Sequence, residues 1–283
     1  YTFTQTFTED EVQIATFFPF SSEKMSALVD TASATPWASK TVLGTSHQGR
    51  DIDLLTITNT AVPIGDKKII YFISRQHAAE TSGSHLLEGI IEFLVSDDAY
   101  AAGFRDNYVW YIVPMMNPDG VYLGKSRSTS EGNDPNRDWN PANTDTVEVA
   151  TVRDHIDSVN AAHGIDMLAD FHSQMQDDGN WQNFIYSPSG NTFFSKLSDW
   201  TAFDEQNTGG TSCSSSSCSS RGYATGEGLF YLNFEPTPHL VTWTEDSLKA
   251  EGKYVAFAIN QYFGDYDGPL LLQDSDFEAS GDS

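Results

Sequence analysis

The period of the apolar positions changes several times along the chain, and each change marks an element. Residues 1–20 alternate apolar and polar side chains (Tyr1, Phe3 and Phe7 among them), which reads as the last strand of something further upstream. Over 21–32 the spacing becomes helical, with Ser21 or Ser22 as N-cap and Met25, Leu28 and Val29 on one face. After a Pro36-Trp37 break, residues 41–44 and 52–58 form a hairpin whose turn contains His47, Gln48, Gly49 and Arg50. Continuous apolar runs follow at 67–74, 108–114 and 164–171, as expected of strands covered on both faces. A short strand is expected at 184–186 and a fourth buried one at 239–244. Helical stretches are expected from residue 84 to near 97, at 145–162, at 191–203, and from an Asp246-Ser247 cap to about 263.

Strands that alternate with helices imply an α/β sheet with helices on both faces. In such sheets functional groups gather at the carboxyl ends of the strands. His77, Asn117, His172 and Glu245 each follow a predicted strand end, and that coincidence singles them out.

Composition narrows the function. The 283 residues suffice for one large domain with a full core, and 39% hydrophobic with 13% aromatic residues is globular rather than disordered. The 40 Asp and Glu against 15 Lys and Arg give a net charge of −25, which repels nucleic acid and anionic membranes. No apolar run is long enough to span a bilayer and no signal peptide is present; a chain opening on Tyr1 reads as processed or trimmed from a longer precursor. No obligate protein partner is evident. The two cysteines, Cys213 and Cys218, lie in a Ser-rich tract without a nearby His, a poor metal site. A local disulfide between them implies an oxidising compartment, so a secreted or periplasmic location is expected; free thiols and the cytoplasm are the alternatives.

His77 and Glu80, three apart after a buried strand, can reach one cation, although the spacing alone is common by chance. His172 supplies a third ligand. Zinc in hydrolases takes three protein ligands and leaves a position for water. Asp134 can hold a ligand His from behind. Arg137 can pair bidentately with a carboxylate and Asn136 can donate beside it. Arg127 is a candidate to stabilise an oxyanion, and Glu245 to act as general base, with Glu227 and Glu235 as alternatives in the same loop region.

In this order, His77-x-x-Glu80, Asn117-Pro118-Asp119-Gly120, Arg127, Asp134-x-Asn136-Arg137, His172 and a late Glu245 resemble the zinc carboxypeptidases of the M14 type. The likeness is greatest to the cytosolic-carboxypeptidase-like branch and its bacterial relatives. It implies a mixed, mostly parallel twisted sheet with helices on both faces. It also implies one zinc on His77, Glu80 and His172, and Glu245 as base. Arg127 would polarise the scissile carbonyl, and Asn136 with Arg137 would grip the terminal carboxylate of a peptide or protein substrate. The family's capping tyrosine would be Tyr223, with Tyr231 as rival. The branch carries a β-rich domain before the catalytic one, so residues 1–20 are expected to trail from it, 21–267 to form the catalytic domain, and 268–283 to be a linker or tail.

Where that branch has Pro-Gly between the first two ligands, this chain has Ala78-Ala79, and the Arg that precedes the Glu ligand in pancreatic-type members is also Ala79. A zinc deacylase or amidase acting on N-acyl amino acids would use the same residues, and an inactive binding relative would keep the fold; both stand as alternatives to a carboxypeptidase. Because no Lys or Arg lies between Gly222 and Ser247, a neutral or basic terminal residue is expected in the substrate.

Overall fold

A computed structural model of the chain describes residues 4–8, 10–12, 15, 17–142, 146–174, 183–188, 191–209, 213–214, 217–237 and 243–264. Its centre is a mixed eight-stranded sheet: β1 (Ala38–Thr45), β2 (Asp51–Ile57), β3 (Lys68–Ser74), β4 (Tyr108–Val113), β5 (Met167–Phe171), β6 (Phe184–Tyr186), β7 (Glu205–Asn207) and β8 (Tyr231–Glu235). The spatial order is β1-β2-β4-β3-β5-β8-β6-β7. The central strands β4, β3, β5 and β8 run parallel, and the β1–β2 hairpin joins β4 in antiparallel fashion.

The unbroken apolar runs of β3 and β5 reflect two covered faces. Ile70 and Phe72 point into one core, with α1 (Ser22–Ser33), α2 (Thr81–Val95), α3 (Ala99–Asn107), α6 (Phe193–Ser198) and α8 (Glu245–Tyr262). Ile69, Tyr71 and Ile73 point into the other, with α5 (Val147–His163) and α7 (Ser220–Gly226). A five-residue helix α4 (Pro118–Tyr122) follows β4.

Helix α2 is buried almost all round because α8 lies directly on it. The approach depends on two glycines: a Cβ on Gly89 would stand 1.9 Å from the Lys249 carbonyl, and one on Gly252 1.9 Å from that of Leu86.

Several expectations need correction. No strand lies among the described residues before Phe20. Of the strand expected at 239–244, residues 239–242 fall outside the described residues, and Trp243 and Thr244 are not in a strand. The fourth parallel strand is instead β8, eight residues earlier at its start, and it pairs with β5. The last helix begins at Glu245, capped by Thr244 rather than by Asp246-Ser247. The helix expected at 191–203 contracts to α6, while α3 and α7 were not anticipated. The tail 268–283 lies outside the described residues.

Candidate metal centre and substrate cleft

Ser74 pairs with Phe171, and Phe171 with Phe234, so the next residues of β3, β5 and β8 lie at one level of the sheet. At that level the chain delivers Arg75, His172 and Glu235. Arg75 turns β3 out of the sheet with a left-handed φ of 56°, a conformation that costs a non-glycine residue energy and persists where surroundings enforce it. Its buried guanidinium supplies that enforcement. Nε and Nη2 donate to the Ala78 carbonyl (3.1 and 2.7 Å), and Nη1 to the Phe20 carbonyl and Ser84 Oγ (3.0 and 3.1 Å). Burial lowers its pKa to about 10. Asn117 braces the same loop, donating to the carbonyls of Gln76 and Ser128 (3.1 and 3.2 Å) while accepting from Gly120 N–H.

The loop so held presents His77 and Glu80 to His172. Glu80 Oε1 lies 2.7 Å from His77 Nδ1, and Oε2 lies 2.6 Å from His172 Nδ1. All three side chains are buried, and their donor atoms lie within 4.8 Å of one another. Burial disfavours charge, yet attraction to His172 and His77 holds Glu80 below the usual carboxylate range, and attraction to Asp170 and then Glu80 lifts His172 well above the ordinary imidazole value.

Each imidazole turns its other nitrogen to a carboxylate: His77 Nε2 to Asp134 Oδ1 at 3.1 Å, and His172 Nε2 to Asp170 Oδ2 at 3.0 Å. A carboxylate behind each ring leaves both Nδ1 atoms to face Glu80, the orientation that a metal-ligating histidine takes. Two imidazoles and one carboxylate also suit zinc by charge and softness. The donor set therefore fits that ion. Burial works against ionisation of Asp134, but bonds from His77 and from Arg127 Nε (2.6 Å) hold its pKa low.

One polar cleft adjoins the trio and is lined by Arg127, Asn136, Arg137, Tyr186, Ser220, Arg221, Tyr231 and Glu235, among others. Arg127 Nη1 stands 3.3 Å from His77 Nδ1. Asn136 is buried, its Oδ1 accepting from Ser220 N–H at 2.9 Å, and its carbonyl takes the Nη1 of exposed Arg137 at 2.7 Å. Glu235 is only partly open to the cleft. Burial raises its pKa, Glu80 and Asp170 push the same way, and His172 and Arg127 offset part of the effect.

The structure does not bring Glu245 to this cleft. It is the first residue of α8, on the surface, where the positive end of a helix favours a carboxylate and Lys24 Nζ pairs with it at 3.1 Å. Glu235, at the end of a strand adjacent to that of His172, holds the position expected of Glu245. Tyr223 is also elsewhere: its ring packs on Trp139 and its hydroxyl donates to Asp157. Tyr231 lines the cleft, but its hydroxyl is held by Ser220 Oγ (2.8 Å) and Asp170 (3.3 Å). Cys213 and Cys218 are bonded to each other.

Sequence reasoning overlooked Asp170, Tyr186 and Arg221. Asp170 carried a readable signal, since it lies two residues before His172 and so shares its face of the strand. Arg221 immediately precedes Gly222 and so lies just outside the Gly222–Ser247 stretch that lacks positive charge. Its guanidinium lies over the Tyr186 ring at 4.1 Å, and its buried Nη1 has no hydrogen-bond partner among the described residues.

A buried two-histidine, one-carboxylate set beside an open cleft is the kind of centre used by mononuclear zinc hydrolases. The chain belongs to the Peptidase_M14 family, described as zinc carboxypeptidase, whose model matches residues 25–231. Cytosolic carboxypeptidase 6 of Caenorhabditis elegans is 39% identical over 133 residues, which are 46% of this chain and 29% of that protein. The human protein of the same name is 37% identical over 135 residues, 46% of this chain and 27% of its own length. The matched stretch thus spans less than a third of these relatives. A metallo-carboxypeptidase from Burkholderia cenocepacia superposes with a TM-score of 0.73 at 25% identity, covering 87% of this chain and 70% of that one. Carboxypeptidase A from Helicoverpa armigera shares the fold, with a TM-score of 0.68 at 17% identity, covering 87% of this chain and 73% of its own.

Proposed function

We propose that the chain is the catalytic unit of a zinc-dependent metallocarboxypeptidase that hydrolyses C-terminal amino acids from peptides. One observation carries the reading: the buried His77–Glu80–His172 trio, the strand-end carboxylate Glu235 and three of the chain's seven arginines share one cleft. In a protein of net charge −25, that concentration of guanidinium groups marks where a carboxylate substrate binds.

When bound by His77, Glu80 and His172, zinc supplies Lewis acidity toward a scissile carbonyl and toward water. Glu235 takes the proton of the attacking water and passes it to the leaving amine. Arg127 stabilises the oxyanion as it develops. Arg137 and Asn136 hold the terminal carboxylate, with Arg137 steadied by its bond to the Asn136 carbonyl. Tyr186, whose ring lines the cleft, takes the place proposed from sequence for Tyr223 or Tyr231.

Among the described residues the buried Nη1 of Arg221 lacks an acceptor, which an acidic terminal side chain would provide. We therefore propose a preference for terminal Glu or Asp, reversing the expectation of a neutral or basic residue. As to location, no helix among the described residues is long and apolar enough to cross a membrane. The Cys213–Cys218 bond supports an oxidising compartment, whereas the curated relatives are named cytosolic.

Metal analysis paired with peptides differing only in the last residue tests the reading. One zinc per chain and stepwise release of single residues, fastest for Glu or Asp, are expected. Internal cleavage, or action on N-acyl amino acids but not on peptides, would overturn it.

A further inference from the structure

Asp170 is fully buried on β5, and its two oxygens are used unequally. Oδ1 has no hydrogen-bond partner among the described residues, while four side chains converge on Oδ2: Gln76 Nε2 (2.5 Å), Ser220 Oγ (2.7 Å), His172 Nε2 (3.0 Å) and Tyr231 OH (3.3 Å). The direction of the first bond is fixed. Trp139 Nε1, which can only donate, bonds Gln76 Oε1 at 2.8 Å and so turns the amide nitrogen toward Asp170. The Ser220 hydroxyl has one proton for three neighbours. Asn136 Oδ1 already accepts from the Ser220 backbone N–H, and Tyr231 OH can itself donate to Ser220 Oγ, so the hydroxyl proton goes to Asp170, the shortest of the three contacts.

One oxygen therefore touches two parts of the site. On one side it receives Nε2–H of His172, which fixes the tautomer that leaves Nδ1 facing Glu80. On the other it anchors Ser220, which holds Asn136 and opens the helix carrying Arg221. We infer that Asp170 is a positioning residue that sets the ring of the metal ligand His172 and the substrate-facing wall of the cleft as a single unit. Ser220, which bonds none of His77, Glu80 and His172 directly, then reaches the His172 ring through Asp170 and through Asn136, whose Nδ2 lies 3.3 Å from His172 Nε2. This rests on the metal reading given above.

Zinc affinity, measured by chelator competition on the wild-type protein, Asp170→Asn and Ser220→Ala, tests it without recourse to turnover. Asp170→Asn keeps the volume but replaces one oxygen by a donor, and about 10- to 100-fold weaker zinc binding is expected. Ser220→Ala, a small change that leaves the ligands and Asp170 in place, is expected to weaken zinc several-fold. It should also raise KM for peptides more than it lowers kcat. A purely structural role would lower the melting temperature of the zinc-free variants while zinc affinity stayed within about twofold of wild type; that result overturns the proposal. If Asp170→Asn does not fold, Ser220→Ala decides alone: unchanged zinc affinity overturns the coupling. Wild-type protein that binds no zinc would instead overturn the underlying metal reading, and this inference with it.

Discussion

His172 Nδ1 stands 2.6 Å from Glu80 Oε2, although 92 residues separate the two in sequence. Adjacent pairing of β3 and β5 brings the loop that carries Glu80 beside the end of β5 that carries His172. A cation held there binds the folded chain and not the unfolded one. Zinc at 100 times its dissociation constant should then add about 2.7 kcal/mol of stability. Thermal melts with and without a chelator check this, and coincident curves would remove the metal from the trio.

Glu235→Gln should retain zinc yet lose about 100-fold or more in kcat, the usual worth of a general base. Glu245→Gln should leave kcat within about twofold, because Glu245 lies on the surface beside Lys24 and such pairs contribute little. The opposite ranking of the two variants would return Glu245 to the mechanism.

Arg221→Ala should reduce kcat/KM for peptides ending in Glu or Asp by about 10- to 100-fold, in line with loss of a charged hydrogen bond. Peptides ending in Leu should be affected far less. Equal losses on both would show that Arg221 shapes the cleft without reading the terminal side chain.

Gly252→Ala should destabilise the fold by about 2 kcal/mol or more, since the new Cβ meets the Leu86 carbonyl at 1.9 Å and backbone cannot turn aside. Urea midpoints of the zinc-free proteins report it; an unchanged midpoint would mean that α2 and α8 can separate at no cost.

Glu251 is a buried carboxyl remote from the metal trio. Burial raises its pKa from 4.5 to about 7, against the opposing bond from Ala202 N–H. Because the folded value exceeds the unfolded one, the native state binds more protons between those values. Its contribution is fully present below pH 4.5 and is lost as the pH rises through about 7, on the order of 3 kcal/mol. Glu251→Gln should flatten that part of the stability profile. Parallel profiles for the two proteins would assign the dependence to other groups.

Much of the site was legible because its pieces are local. His77 and Glu80 share one turn, Asn136 and Arg137 are neighbours, and unbroken apolar runs announced β3, β4 and β5. What failed depended on register and rotation, which no short window contains. The residues leading into Glu235 are no less apolar than the run at 239–244, so apolarity does not choose between the two carboxylates; pairing with β5 puts Glu235, not Glu245, at a strand end. The choice among tyrosines depended on which face α7 turns inward, and Tyr223 proved to face Trp139. Arg221 was missed because its side chain reaches the cleft from the first turn of that same helix.

The spatial order β3-β5-β8 follows the order in which the three strands are synthesised. Residues 77, 80 and 172 emerge from the ribosome well before residue 235. A nascent chain can thus assemble every donor of the trio by pairing two strands, while β8 is still unmade. Pairing β3 with β5 closes an interval of about 97 residues (Ile70 to Met167) and pairing β5 with β8 one of about 63 (Leu168 to Tyr231), so neither step is local. Residue order alone thus lets His77, Glu80 and His172 meet before the strand that carries Glu235 has been made.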